Sequence, residues 1–258
     1  MTMDTTAPLF AIITVTFRAE DTVGRTLRSV DSQTFTDYEH IVVDGASTDR
    51  TLAIIEAEVN PRRRVVSEKD RGIYDAMNKG LAMSRGRYLI FLNAGDKFHS
   101  PDTLQIIADA IASAGEPGIV YGQTDIVDND GRRLGSRHLT APATLSLASF
   151  ADGMVVCHQA FVALRSLVGF YNLKYRFSAD YDWCIRCLQH SRHNVGLGDT
   201  VIIDYLSEGM TTRNMLPSLR ERFRIMCCYY GVLPTLGRHL GFALRWLRRR
   251  KNNNTNIQ

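Results

Sequence analysis

Aspartates follow apolar, β-branched runs at two places in this 258-residue chain. Asp44 closes HIVVD (40–44), and Asp96 follows YLIFL (88–92) after Asn93-Ala94-Gly95. A further pair, Asp180 and Asp182, opens a helical-looking stretch that runs to His190. A carboxylate can accept hydrogen bonds from sugar hydroxyls or an imide N–H, ligate a hard divalent cation, or take a proton from a hydroxyl. Asp180 and Asp182 stand about 200° apart on a helix, so both cannot serve one atom. Cys184-x-x-Cys187 invites a metal or redox reading, but it lies among apolar residues. The second pair, Cys227-Cys228, is merely adjacent, and the thiols read as small buried hydrophobes.

Positioning such groups is the work of the elements around them. Phe10–Thr16 is a continuous β-branched run, as expected of a strand buried on both faces. His40–Asp44, Arg64–Glu68 and Tyr88–Leu92 read as further strands. Helical patterns fall between them: one carrying Val23, Leu27 and Val30, one carrying Leu52, Ile55 and Val59, and one around Tyr74–Ser84. Thr48 or Asp49 is the expected cap of the second helix, and Ser100-Pro101 marks the start of another. This alternation implies a parallel sheet with helices on both faces, and ligands in such sheets sit beyond the carboxyl ends of the strands. The groups to watch are therefore Thr16–Arg18, Asp44-Gly45, Glu68–Arg71 and Asn93–Asp96. After Gly118 the pattern changes. Ile119–Val127 and Arg133–His138 read as strands joined by a tight turn at Asn129-Asp130-Gly131, and the second half is expected to pack onto the first.

Composition narrows the class. Hydrophobic residues make up 45% and charged residues 22%, ordinary for a globular protein. Five scattered cysteines do not look like a disulfide framework. The N-terminus has no secretory pattern and no segment is apolar for a membrane span, so the expectation is a cytoplasmic protein. The net charge of +4 is uneven, because from Arg213 to Lys251 ten Lys or Arg face Glu221 alone.

Four segments taken together, FAIITVTFRAEDTVGRTLRSVDSQTF, HIVVDGASTDRT, GIYDAMNKGLAMSRGRYLIFLNAGD and FSADYDWCIR, resemble the inverting family 2 glycosyltransferases, over roughly residues 9–212. The likeness is greatest to enzymes of bacterial exopolysaccharide, capsule and O-antigen synthesis, of the colanic-acid type. It implies a GT-A (Rossmann-like) α/β fold, a mostly parallel central sheet flanked by helices. Residues 9–100 would form the nucleotide-sugar donor half and 118–212 the acceptor half, with 213–258 a basic helical extension ending in a disordered tail.

The resemblance also implies roles. Asp44 would contact the base or ribose of the nucleotide. Thr16, Phe17, Arg18, Asp75, Lys79, Asn93, Ala94 and Gly95 would line the donor pocket. The family usually carries an acidic D-x-D or D-x-D-D signature where this chain has Asn93-Ala94-Gly95-Asp96. Asp96 remains as the acid matched to the metal, Mn²⁺ or Mg²⁺. The family's usual Glu-Asp pair is here Ala179-Asp180, making Asp180 the general base of a single inverting displacement. His158, Gln159 and Asp182 would face the acceptor or the diphosphate, and Ser207–Thr211 would form a loop over the nucleotide.

The implied partners are a nucleotide sugar, a UDP-sugar above others, and a glycan or polyprenyl-diphosphate-linked acceptor. Leu236, Leu240, Ala243, Leu244 and Leu247 share a helical face bordered by arginines. Such a helix either lies on the inner face of the cytoplasmic membrane or docks on the domain. Nucleic acid is not expected, since no aromatic-basic groove accompanies the charge. A dehydrogenase or nucleotidyltransferase would need a glycine-rich loop after the first strand, and Thr14–Glu20 contains no glycine. The remaining alternative is a non-catalytic nucleotide-binding scaffold with a degenerate site.

Overall fold

The computed structural model describes residues 7–207 and 215–241. The first part of the chain alternates strand and helix: β1 (Phe10–Thr16), α1 (Val23–Asp31), β2 (Tyr38–Asp44), α2 (Thr51–Ala57), β3 (Arg63–Ser67), α3 (Ile73–Met83) and β4 (Tyr88–Phe91). The chain continues through β5 (Lys97–Phe98), α4 (Thr103–Ser113), β6 (Ile119–Val127), β7 (Arg133–Ser136), β8 (Phe161–Leu164), α5 (Ala179–His190), β9 (Asn194–Leu206) and α6 (Met215–Tyr230). A last helical stretch covers 232–241.

All the strands join one nine-stranded sheet, in the order β3-β2-β1-β4-β8-β6-β9-β5, with β7 paired to β6. The β3-β2-β1-β4 part is parallel throughout. Beyond β4 the sheet is mixed, because β8 runs antiparallel to both β4 and β6 while β6 and β9 are parallel. The two halves therefore share a backbone ladder and one continuous core rather than packing as separate layers. Every residue of β1 is buried, which the run FAIITVT requires of a central strand covered on both faces. Val23, Leu27 and Val30 are fully buried on α1, as their spacing predicts.

Some boundaries move. Val59, expected on the face of α2, lies beyond its end and is 88% exposed. The helix stops before Asn60-Pro61, where proline disfavours the helical conformation of its predecessor. The cap position of α2 is Arg50 rather than Thr48 or Asp49, and Asp49 Oδ1, one residue earlier, accepts the Thr51 N–H at 3.1 Å. α4 begins at Thr103, two residues after Pro101. The two-residue β5, pairing with β9, has no sequence signal of its own. Most of Ser207–Thr211, expected over the nucleotide, and Ala243, Leu244 and Leu247 lie outside the described residues.

Candidate active site

Three parallel strands end side by side at one edge of the sheet, and their last residues meet there. Thr16 and Asp44 are register partners, Gly45 N–H donates to Thr16 C=O at 2.9 Å, and Ala94 N–H donates to Val15 C=O at 3.1 Å. Two non-glycine residues in these loops hold positive φ, Arg18 at 49° and Ala46 at 59°. Such strain persists where the surroundings over-determine the backbone. Arg18 N–H is fixed to Ser47 Oγ at 2.8 Å. Gly45 is crowded by side chains, since a Cβ there would stand 2.5 Å from Asp70 Oδ2 and 3.2 Å from the Phe17 ring. Phe17 itself is 56% exposed, with the Arg18 guanidinium 5.3 Å from its ring centroid.

Asp44 is fully buried, and its carboxylate is already engaged. It accepts from Ser47 N–H at 2.9 Å, Ser47 Oγ at 2.5 Å and Ser67 Oγ at 2.6 Å. Three of about four acceptor positions are thus used within the protein. Asp75 and Lys79 are tied to the segment after β3. Asp75 accepts from the Arg71 backbone and guanidinium, each at 3.0 Å, and these bonds hold its carboxyl below the usual range. Lys79 Nζ pairs with Glu68 at 2.9 Å and donates to Lys69 C=O at 2.7 Å. Both residues organise the 68–71 loop.

The Asn93–Asp96 turn is built by α1. Thr26 Oγ1 donates to Asp96 C=O at 2.7 Å and accepts Gly95 N–H at 2.9 Å, and the Arg25 guanidinium binds Gly95 C=O. Gly95 adopts φ +103°, with Leu206 packed against it. Asp96 is 4% exposed and both its oxygens are held: Oδ1 by Leu206 N–H at 3.0 Å, Oδ2 by Gln159 Nε2 at 2.8 Å. Burial raises its pKa to about 7, against the pull of those donors and of Arg25. Two buried oxygens nearby in the chain's strand-end loops, Thr16 Oγ1 and Asn93 Oδ1, have no hydrogen-bond partner. Such orphans are rare in native structures and call for a ligand or an ion.

Asp180 lies in the first turn of α5, partly exposed. Its Oδ1 accepts from Tyr74 OH at 3.0 Å and from Tyr181 N–H at 2.9 Å. No partner on Oδ2 is found among the described residues. Tyr205 is largely buried within reach of both acids' charge. Burial pushes its phenol well up, and the charges of Asp96 and Asp180 both add to that rise. Tyr74 and Tyr205 escaped the sequence reading. The first sits inside the quoted GIYDAMNKG segment and the second inside VIIDYL, where each looks like a core aromatic.

His158 and Asp182 are engaged by other groups of the protein. His158 is buried in an aromatic box, stacked on Phe91 at 5.1 Å, beside Trp183, and bonded through Nε2 to Tyr171 OH at 2.7 Å. Desolvation lowers its pKa to about 4. Asp182 is 4% exposed and accepts from Arg186 Nε at 2.9 Å and Tyr229 OH at 2.8 Å, which clamps α5 to α6. Gln159, in contrast, is brought onto Asp96.

The thiols of Cys184 and Cys187 are buried, and burial raises both pKa values, Cys187 to about 12. Among the described residues, His99, Asp125 and Asp204 form a group whose ligand atoms lie within 4.8 Å of one another. Cations already occupy it: Lys97 bonds Asp204 at 2.6 Å and Arg133 bonds Asp125 at 2.5 Å. It does not include Asp96.

Comparison with known proteins agrees with this geometry. The pattern of the family described as glycosyl transferase family 2 matches residues 11–168. The PGL/p-HBAD biosynthesis glycosyltransferase of Mycobacterium tuberculosis is 34% identical over 190 residues, 71% of each chain. Among solved structures, residues 1–349 of S. aureus TarS in complex with UDP-GlcNAc superpose with a TM-score of 0.70 at 18% identity, covering 90% of this chain and 73% of that one. The mannosyltransferase PcManGT from Pyrobaculum calidifontis, in complex with GDP-Man and Mn²⁺, gives 0.56 at 17% identity, covering 93% and 76%. Strand order, strand-end loops and these likenesses agree: the chain belongs to glycosyl transferase family 2 and is a glycosyltransferase of the GT-A fold.

Proposed function

We propose that the protein moves a sugar from a nucleotide diphosphate, a UDP-sugar, onto a hydroxyl of a glycan or lipid-linked acceptor, inverting the anomeric centre. The observation that carries this reading is the state of Asp180. One carboxylate oxygen is anchored by two donors, and the other is left to accept a proton. Asp180 takes the proton of the acceptor hydroxyl as that oxygen attacks the anomeric carbon, and the bond to the diphosphate breaks on the opposite face. A single displacement with a single base inverts the configuration. The UDP-GlcNAc held by TarS and the GDP-Man held by PcManGT support a nucleotide sugar as donor.

On the donor side, Phe17 offers an exposed ring to the base. Asp44 acts both directly and through the Ser47 and Ser67 hydroxyls that it orients. Thr16, Arg18, Asn93, Ala94 and Gly95 line the pocket, and Asp75 and Lys79 set the loop beside it. Asp96 suits a divalent ion: it is a buried carboxylate beside a turn whose Asn93 Oδ1 lacks a partner, and oxygen donors of this kind suit Mn²⁺ or Mg²⁺. When bound, the ion offsets the charge that develops on the departing diphosphate. Gln159 orients Asp96, and His158 keeps the wall behind it rigid.

For the acceptor we favour a polyprenyl-diphosphate-linked glycan met at the inner face of the cytoplasmic membrane. The support is the 232–241 helix. Val232, Leu233, Leu236 and Leu240 are 49–81% exposed and fall within about 100° of arc. The opposite side carries buried Thr235 and Arg238, the latter paired with Asp152 at 3.6 Å. The helix thus docks by its polar side and leaves its apolar side uncovered, followed in sequence by Arg245, Arg248, Arg249, Arg250 and Lys251. No helix among the described residues is long and apolar enough to cross a membrane.

The deciding experiment pairs donor titration with a base variant. UDP, GDP and their sugars are titrated calorimetrically with Mn²⁺, Mg²⁺ or EDTA, and Asp180→Asn is assayed for transfer. Metal-dependent binding of one nucleotide is expected. The variant is expected to bind that donor normally and transfer about a thousandfold more slowly. Normal transfer by Asp180→Asn removes the base assignment, and a folded protein that binds no nucleotide removes the donor reading.

A further inference from the structure

The base is held in place by a helix of the other half of the molecule. Tyr74 lies on α3, in the donor half, 106 residues from Asp180, and its hydroxyl is 3.0 Å from Asp180 Oδ1. The phenol is 8% exposed. Burial, together with the charge of Asp180, pushes its pKa far up, so it keeps its proton and can only donate to the carboxylate. Its ring is fixed in turn. Tyr74 stacks on Tyr171 at 5.6 Å, and Tyr171 stacks on Trp183 at 5.4 Å. One turn along α3, Asn78 clamps the backbone of Tyr171 from both sides, donating to its C=O at 3.1 Å and accepting its N–H at 2.7 Å.

A tyrosine needed only for packing would be served by phenylalanine here, since the ring already fills an aromatic stack. Among the described residues the hydroxyl's partner is Asp180, the acid that also receives the Tyr181 N–H. Two donors on one oxygen fix the plane of the carboxylate and direct Oδ2 away from them. We infer that Tyr74 is a positioning residue for the transfer step, holding the base from the donor side. The same helix carries Asp75 and Lys79, which set the loop after β3, so α3 joins that loop to the base. This inference rests on Asp180 being the base.

The test is Tyr74→Phe, compared with Asp180→Asn. With Tyr74→Phe, kcat is expected to fall about tenfold, the loss of one hydrogen bond to a charged group. Donor affinity by calorimetry stays unchanged, and the acidic limb of kcat/KM moves to higher pH because the carboxylate loses a donor. An unchanged kcat and an unmoved limb in a folded variant overturn the inference. Should the phenylalanine variant not fold, 2,3-difluorotyrosine at position 74 decides. It keeps the ring and strengthens the donor, so the acidic limb moves to lower pH if Tyr74 acts on the base and stays fixed if it does not. The two readings fail separately. Full transfer by Asp180→Asn removes the base itself, whereas an inactive Asp180→Asn beside an unperturbed Tyr74→Phe removes only the positioning role.

Discussion

Gln159 Nε2 donates to Asp96 Oδ2 at 2.8 Å, joining the turn after β4 to the segment that leads into β8. Gln159 is itself steadied by Cys157, whose thiol donates to Oε1 at 3.0 Å. The proposed metal-facing acid is therefore oriented by a residue 63 positions away. Outer partners of this kind commonly govern affinity by ten- to a hundredfold. Gln159→Leu is expected to weaken Mn²⁺-dependent nucleotide binding about tenfold, with little change in metal-free binding. Titration calorimetry with Mn²⁺ and with EDTA separates the two, and an equal loss in both would point to general damage.

Asp182 predicts the opposite pattern. Its carboxylate bridges Arg186 and Tyr229 beneath α6. Asp182→Ala removes the carboxylate from the Tyr229 phenol and from a guanidinium that then keeps only the Phe170 C=O, and is expected to destabilise the fold by about 3 kcal/mol. Urea unfolding should register that loss, while kcat of the folded protein stays within about twofold of the parent. A collapse of kcat in a stably folded variant would put Asp182 back among the reacting groups.

Stability should fall in acid because two imidazoles are folded in the neutral form. His40 is fully buried, with Arg63 Nε donating to Nδ1 at 3.3 Å and Thr14 Oγ1 2.9 Å from Nε2. Burial, reinforced by Arg63, lowers its pKa to about 3, and burial lowers that of His158 to about 4, from 6.5. The unfolded chain gains these protons first. The stability they lend is complete above pH 6.5 and declines below it, by up to about 1.4 kcal/mol per pH unit for each ring. Asp96 works the other way, keeping its proton up to about pH 7 when the unfolded chain releases it at 3.8. Asp96→Asn should therefore steepen the acid loss and His158→Gln should shallow it. Unfolding midpoints between pH 7.5 and 5 check both signs.

The apolar stripe on the last described helix makes a prediction about surfaces. Leu233→Glu with Leu236→Glu places two carboxylates where an anionic bilayer is proposed to lie. Binding to phosphatidylglycerol vesicles is expected to drop more than tenfold, while transfer to a water-soluble acceptor is unchanged. Co-sedimentation and a parallel activity assay test this. Self-association that disappears in the double variant would assign the stripe to a second copy of the chain instead.

What the sequence determined by itself is the parallel part of the sheet and the addresses of its polar loops. β1 and β4 are near-continuous apolar runs and β2 ends in one at 41–43, as expected of strands covered on both faces, and a parallel sheet opens its ligand edge where those runs end. Hence Asp44, Asn93–Asp96 and Thr16–Arg18 could be named, together with Asp180 through the family's motif. The tertiary structure decided which of these groups are free to act. His158, Gln159 and Asp182 look alike in sequence, as polar residues at the starts of apolar elements. In the fold, one is enclosed by aromatic rings, one is bonded to Asp96, and one is spent on α6. Local pattern records whether a side chain faces inward, through period and burial. It carries no record of the partner met there, because Tyr74 and Asp180, or Gln159 and Asp96, come within hydrogen-bond distance only after the sheet has brought segments 106 and 63 residues apart to one edge.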